Sequence, residues 1–418
     1  MFSLVVFLLV STTYALDVTV GKTDCVGCPN YFKAGADAFP AIQAACEAVR
    51  KAGGGKVQVQ AGEYIMSKNF QVFSNTHFAG AGMGLTTLKL VNRASPWKVG
   101  TSLNSGFLRA VYKTYSNCIN VKVSALTLDG NKVNQNTDPD SEYGRYGLFT
   151  EGCTNMYVDS VTIKNFQGYG FDPHGWKSAP GGPLYGKDLT IVNCISHDND
   201  WDGFTLDQTD GILVQNSFAY NNGRHGFNVV TGSRNVVIDT VRTHHNGHYY
   251  YTGDSGCGMT IQNNQNYGTN SVTVKNSLFE ADKKGGVCTN GVFNIVVDNN
   301  SIKTYRPCIT LVDTRDVSVT NNVCNNTNII RKTNVINLTD TNNKYVSSNV
   351  VTPQPSTCSS GNKNNEVCCL ATCVNSLGQP QCGGTGCGSL APGASNCCST
   401  PIIASARKCS DFPPPCVL

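Results

Sequence analysis

Four short segments of this sequence share one layout: Tyr169-Gly-Phe-Asp-Pro-His174, Asp202-Gly-Phe-Thr-Leu-Asp207, His225-Gly-Phe-Asn-Val-Val230 and Cys257-Gly-Met-Thr-Ile-Gln262. Each offers a leading side chain, a glycine, a large apolar residue, a small polar residue, an apolar residue and a variable end. Stacked in register as strands, they put Tyr169 beside Asp202 and His174 beside Asp207. Alternation along a strand turns Phe171 and Pro173 inward and leaves Asp172 and His174 on the outer face. Arg224 and His225 join the same row two coils on. A phenol, an imidazole and several carboxylates on one patch are groups that take and return protons. The histidine distribution points the same way, with six of seven between residues 174 and 248. Of these, His244, His245 and His248 fall in a turn-like stretch and read as a solvated rim, not a zinc site. Asp202 also has a plainer reading, because Asp198-Asn-Asp-Trp-Asp-Gly203 is turn composition.

Such a row needs strands that repeat. Gly147, Gly170, Gly203, Gly226 and Gly258 recur at spacings of 23, 33, 23 and 32 residues, the long intervals carrying insertions around Ser178–Lys187 and Tyr249–Ser255. Asn193, Asn216, Asn276, Asn299 and Asn321 follow β-rich runs and mark the same period. A short repeat with several strands per unit is a solenoid, and the leucine-rich pattern is missing. Aligned asparagines suit side-chain ladders at the turns, and Phe171, Phe204 and Phe227 suit a core stack. Residues 36–52 read as one amphipathic helix, with Ala41, Ile42, Ala45, Cys46, Ala48 and Val49 on its apolar face. It would cap the bare N-terminal end of the coil. The expected fold is all-β: a right-handed parallel β-helix over 16–350 with an N-terminal capping helix, followed by a Cys-rich module over 351–418.

The bulk numbers fit that class. Only 14% of the 418 residues are charged and the net charge is +4, which does not suggest nucleic acid. Met1–Ala15 is apolar and uncharged and reads as a secretory signal peptide, too short to span a bilayer. No later segment is long and apolar enough to span a membrane. Twenty cysteines, ten of them between Cys358 and Cys416, suit disulfides in an exported chain. Sequons at Asn299, Asn325 and Asn337 place those turns at the surface of a secreted glycoprotein.

At these motifs the chain resembles the mannuronan C-5 epimerases, which convert β-D-mannuronate to α-L-guluronate within alginate. The resemblance rests, in order, on Ile42-Gln-Ala-Ala45 with Ala52-Gly-Gly-Gly55, Ala61-Gly-Glu-Tyr64, Ala79-Gly-Ala-Gly-Met-Gly84, Leu126-Thr-Leu-Asp-Gly-Asn131, Tyr169-Gly-Phe-Asp-Pro-His174, Asp202-Gly-Phe with Asp207, and Arg224-His-Gly-Phe-Asn-Val-Val230. It covers roughly residues 35 to 320. The signal peptide and Cys-rich tail look more like secreted brown-algal members than bacterial modules. The resemblance implies an active site of Tyr169, Asp172, His174 and Asp207, plus a basic residue after Asn131. Lys132 and Arg145 are both candidates for that residue, with Arg145 preferred because it directly precedes the strand expected to stack on Tyr169-Gly170.

Epimerisation at C5 removes a proton α to a carboxylate and returns one to the opposite face. The carboxylate must first be neutralised, here by Arg145, Lys132 or Arg224, with Asp202 and His225 as further substrate contacts. His174 and Tyr169 are then base and acid, in either order, and Asp207 orients the histidine or contacts substrate. The expected partner is an acidic polysaccharide (alginate or polymannuronate). Calcium is the metal the resemblance brings, since many bacterial relatives use it, but no ligand set for it stands out. The alternatives are an alginate or pectate-type lyase, which shares the first half-reaction, and a non-catalytic polysaccharide-binding wall protein.

Overall fold

A computed structural model describes residues 15–28, 30–94, 106–111, 118–135, 146–175, 184–247, 256–263, 267–304, 306–325 and 329–346. The chain divides into two units, Met1–Ser348 and Asn349–Leu418. All described residues belong to the first. Arg145, His248, most of the signal segment and the Cys-rich module lie outside them.

Every strand pairing in the described residues is parallel, and each strand pairs with its counterpart one coil away, as in Val158–Ile191, Ile191–Val214 and Val214–Ile238. This is a parallel β-helix with a rise of about 4.8 Å per coil. Ten strands stack as one sheet and twenty-two others form the remaining faces. β-branched residues in register fill the interior: Val158, Ile191, Val214, Ile238, Val274, Val297 and Val319 follow one another and are sealed from solvent. Branched side chains suit a pleated surface packed on both sides. In the ten-stranded sheet the inward column runs Leu148, Phe171, Phe204, Phe227, Met259. Phe204 and Phe227 stack face to face at 4.8 Å, while Phe171 meets Phe204 edge-on at 6.5 Å.

The recurrent glycines are held by close approach. A Cβ on Gly170 would sit 2.1 Å from Ser196 Oγ and 2.6 Å from the Gly203 carbonyl, and Gly203 meets Gly226 likewise. The recurrent asparagines are corners. Asn193, Asn216, Asn276, Asn299 and Asn321 all have φ between 49° and 56°, the left-handed conformation that asparagine tolerates better than most side chains. Buried ladders run one step further on. Asn199 donates to Asn222 at 3.0 Å, Asn222 to Asn246 at 3.0 Å and Asn246 to Asp282 at 2.8 Å.

The helix spans Phe39–Lys51, three residues later than the sequence suggests. Asp37 is occupied by the amides of Phe39 and Ser67, and Pro40 fits the first turn. Ile42, Ala45, Cys46 and Val49 bury its inner face. A strand at Leu16–Gly21, paired with Gly55–Val59, precedes it and was not expected from the sequence. The insertion read as Ser178–Lys187 is shorter on its C-terminal side, because Gly186 and Lys187 already belong to the Gly186–Val192 strand. Disulfides join Cys25–Cys28, Cys118–Cys153, Cys257–Cys288 and Cys308–Cys324. Cys46 and Cys194 are buried thiols. No helix among the described residues is long and apolar enough to cross a membrane.

Asp282 ends a ladder otherwise built of asparagines, and it is 1% exposed. Burial pushes its carboxyl up to about 7, against the hydrogen bonds from Thr243 and Asn246. A folded-state value above the unfolded one favours the fold at low pH. The contribution is complete below about pH 4 and is lost as pH rises through about 7, roughly 4 kcal/mol in all. Asp282→Asn keeps an acceptor for Asn246 and removes this dependence. Its stability relative to wild type should therefore climb between pH 5 and pH 8, as read by denaturant titration at each pH. Parallel curves for the two proteins would show that Asp282 does not titrate in this range.

Candidate active site

The ten-stranded sheet carries the row. Its outer face presents Phe149, Asp172, Thr205 and Asn228 in one column and Glu151, His174, Asp207 and Val230 in the next. His174 Nε2 lies 2.9 Å from Asp207 Oδ2, the neighbour one coil on, and 4.0 Å from Asp172 Oδ2. The His174 side chain is 26% exposed and that of Asp172 only 1%. Asp172 therefore does face outward, as alternation requires, but is covered by its neighbours.

At the other margin of the same strand, Tyr169 sits in a second apolar cluster outside the main core, with Tyr146, Phe149 and Trp201. Its ring lies 4.9 Å from that of Tyr146 and 4.8 Å from Trp201. Arg224 Nη1 donates to the Tyr169 hydroxyl at 3.1 Å. Burial pushes the Tyr169 phenol well above its ordinary value, Asp202 adds to this, and Arg224 works against it. Tyr169 as a whole is half-buried.

Asp202 and His225, read from the sequence as surface groups for substrate, are both buried. Asp202 is fully buried. Its Oδ1 accepts the His225 amide at 2.9 Å, and its Oδ2 accepts from Asn228 at 2.9 Å and Thr205 at 3.2 Å. Desolvation alone would raise its pKa, but Arg224, His225 and these donors hold the carboxyl below its ordinary value. His225 is 3% exposed and its Nδ1 accepts the Cys257 amide. Burial pushes its imidazole down to about 4, although Asp202 opposes this. Asp202 supports Arg224 from beneath, 3.7 Å from its Nε. Lys132 pairs with Asp200 Oδ1 at 3.0 Å, on the turn leading into the Phe204–Asp207 strand. The histidine clustering was partly coincidental: His197 and His244 belong to strands of the other faces, and His245 to the corner beside them.

A family model described as a right-handed β-helix region matches residues 117–302. Mannuronan C5-epimerase AlgE1 of Azotobacter vinelandii is 35% identical over 234 residues, which is 54% of this chain and 15% of that protein. Among solved structures, the A-module of the A. vinelandii mannuronan C-5 epimerase AlgE4 matches with a TM-score of 0.58 at 26% identity, covering 73% of this chain and 79% of that one. Over about half of its length the chain is similar to mannuronan C5-epimerases. Alginate lyase 7 of the same organism is 37% identical over 211 residues, 48% of this chain and 22% of that protein. This chain thus spans less than a quarter of the length of either curated relative.

Beside the groups that the resemblance implies, the structure brings four side chains that the sequence reading did not single out. Tyr146, Phe149 and Glu151 lie one coil before Tyr169, Asp172 and His174. The register that selects Gly147 would have found them. Phe149 packs its ring 5.8 Å from His174, and Glu151 is 8% exposed at the place directly before His174. Arg109 precedes Phe149 in the same column. Its Nε is buried and has no partner among the described residues, and burial pulls its guanidinium below the ordinary value.

Asp172, His174 and Asp207 are also, among the described residues, the group whose donor atoms converge closely enough for a metal, all within 4.8 Å. Two carboxylates and an imidazole nitrogen are a poor match for calcium, which takes six to eight oxygens.

Proposed function

We propose that this protein epimerises β-D-mannuronate to α-L-guluronate within alginate, using Tyr169, Asp172, His174 and Asp207. The carrying observation is the pairing of His174 with Asp207 on the same outer strip as Tyr169 with Arg224, within a chain related to epimerases. With Nε2–H donated to Asp207, the imidazole keeps its lone pair at Nδ1 and acts as the base for H5. The Tyr169 phenol, protonated at neutral pH, supplies the proton to the other face of the ring. Asp172, between them on the strand, lies where the sugar carboxylate would sit. Cations at the margins, Arg224 beside Tyr169 and Arg109 two coils before Asp172, supply charge along an extended acidic polymer. A solenoid side of this kind suits a chain of sugars crossing several coils.

The likeness to an alginate lyase supports a second reading, in which H5 is removed and the C4 oxygen expelled. Treatment of polymannuronate with purified protein separates the two. Proton NMR should show guluronate signals accumulating at constant polymer length, with no rise in absorbance from unsaturated uronate. Chain shortening with unsaturated ends would establish the lyase reading instead.

A further inference from the structure

Tyr146 belongs to no motif of the sequence reading, yet it lies in the candidate site, against the ring of Tyr169. The Gly147 amide donates to the Tyr169 carbonyl, and Leu148 pairs with Phe171, so Tyr146 lies one coil directly before Tyr169. The residue is 6% exposed. Its ring is fixed between Tyr169 at 4.9 Å, Trp201 at 5.8 Å and Phe149 at 6.3 Å. None of these contacts uses the hydroxyl. Among the described residues that hydroxyl has no hydrogen-bond partner, and its oxygen is not one of the polar atoms closed off from solvent. Open to solvent and with no partner among the described residues, the hydroxyl is available for use by a ligand.

The surroundings say what that use is. Burial first, then Asp172, Tyr169 and Asp207, push the Tyr146 phenol well above its ordinary value, with Arg224 opposing. The group is therefore a permanent donor, and the acids that act on it are those of the site. Glu151, Asp172 and Asp207 already crowd His174. A further carboxylate arriving there on a sugar needs donors that are neither acids nor distant. An oriented phenol O–H meets that need with no charge to desolvate.

We propose that Tyr146 contacts substrate directly, its hydroxyl donating a hydrogen bond to the carboxylate of the uronate bound over Asp172 and His174. This rests on the reading of the site as one for a uronate polymer. It adds a residue that packing alone would not require, because phenylalanine fills the same space between Tyr169, Trp201 and Phe149.

Tyr146→Phe isolates the hydroxyl. Titration calorimetry with mannuronate oligomers, in a His174→Ala background so that nothing turns over, should show affinity about 10- to 100-fold weaker than with Tyr146 intact, the usual worth of a hydrogen bond to a charged group. Affinity for the same oligomers with their carboxyls reduced should be equal in the two proteins, and the melting temperature unchanged. Equal affinity for the native oligomers overturns the assignment, as does an equal loss for the reduced ones. The test is independent of the reaction: if wild type binds polymannuronate without forming guluronate, the epimerase reading falls, and the affinity ratio still decides for or against Tyr146. Failure of wild type to bind any polyuronate overturns both.

Discussion

Replacing His174 with alanine should lower conversion of polymannuronate by on the order of 10³-fold or more and leave the fold intact. A positioned general base contributes on the order of 10² to 10⁴ to rate, and no nearby group replaces an imidazole: His225 is buried beneath the surface and bonded to the Cys257 amide. The fold should not notice the change. His174 lies on the outer face, partly exposed, at the end of its strand, while Phe171 and the other inward residues hold the coil. Guluronate formation by proton NMR and the melting temperature, measured on the same preparation, check both halves. Activity within tenfold of wild type would remove His174 from the chemistry. Asp207→Asn should fall in between, because asparagine can offer N–H where the ring needs an acceptor and so favours the wrong tautomer. A loss for Asp207→Asn equal to that for His174→Ala would instead give the aspartate a direct part.

How much of this was readable beforehand varies by residue. The pairing of His174 with Asp207 followed from the repeated Gly-Phe step alone, since a parallel stack fixes every later position once one is fixed. Tyr146, Phe149 and Glu151 obey the same register. However, their segment has leucine where three of the other four have phenylalanine, and it lacks the polar step, so it announces itself only through Gly147. Burial was the least legible property. Asp202 and His225 read as surface groups because they lead their segments. They are covered because Arg224, one residue before His225, folds over Asp202 toward Tyr169, a contact spanning three coils that no single repeat contains. Arg109 was hidden for another reason: its coil is separated from the next by long intervening stretches, so the period cannot be carried back to it. The asparagine marker was read correctly as structural, though its cause is the left-handed corner as much as the ladder.

Tyr169→Phe should lose epimerisation as severely as His174→Ala, yet the two variants should part company in heavy water. If His174 removes H5 and Tyr169 protonates the other face, the phenylalanine variant retains its base and lacks only the second donor. The imidazole can then take H5 and hand back solvent deuterium to the same face, so the H5 signal of mannuronate should fade while no guluronate appears. His174→Ala, with no base, should show neither exchange nor inversion. Tyr169 is suited to the donor role because burial keeps its phenol protonated and Arg224 occupies its oxygen as a donor, which leaves the phenol's own proton to point elsewhere. For the same reason no alkaline limb from Tyr169 should appear below about pH 10, the ordinary phenol value. The packing around it survives the change, since Tyr146 and Trp201 touch the ring and not the hydroxyl. The opposite pattern, exchange without inversion in His174→Ala and none in Tyr169→Phe, would make the tyrosine the base. Full epimerisation by Tyr169→Phe would mean that the proton arrives from water or from Tyr146, and the phenol held by Arg224 would then be a fixture of the groove rather than a participant.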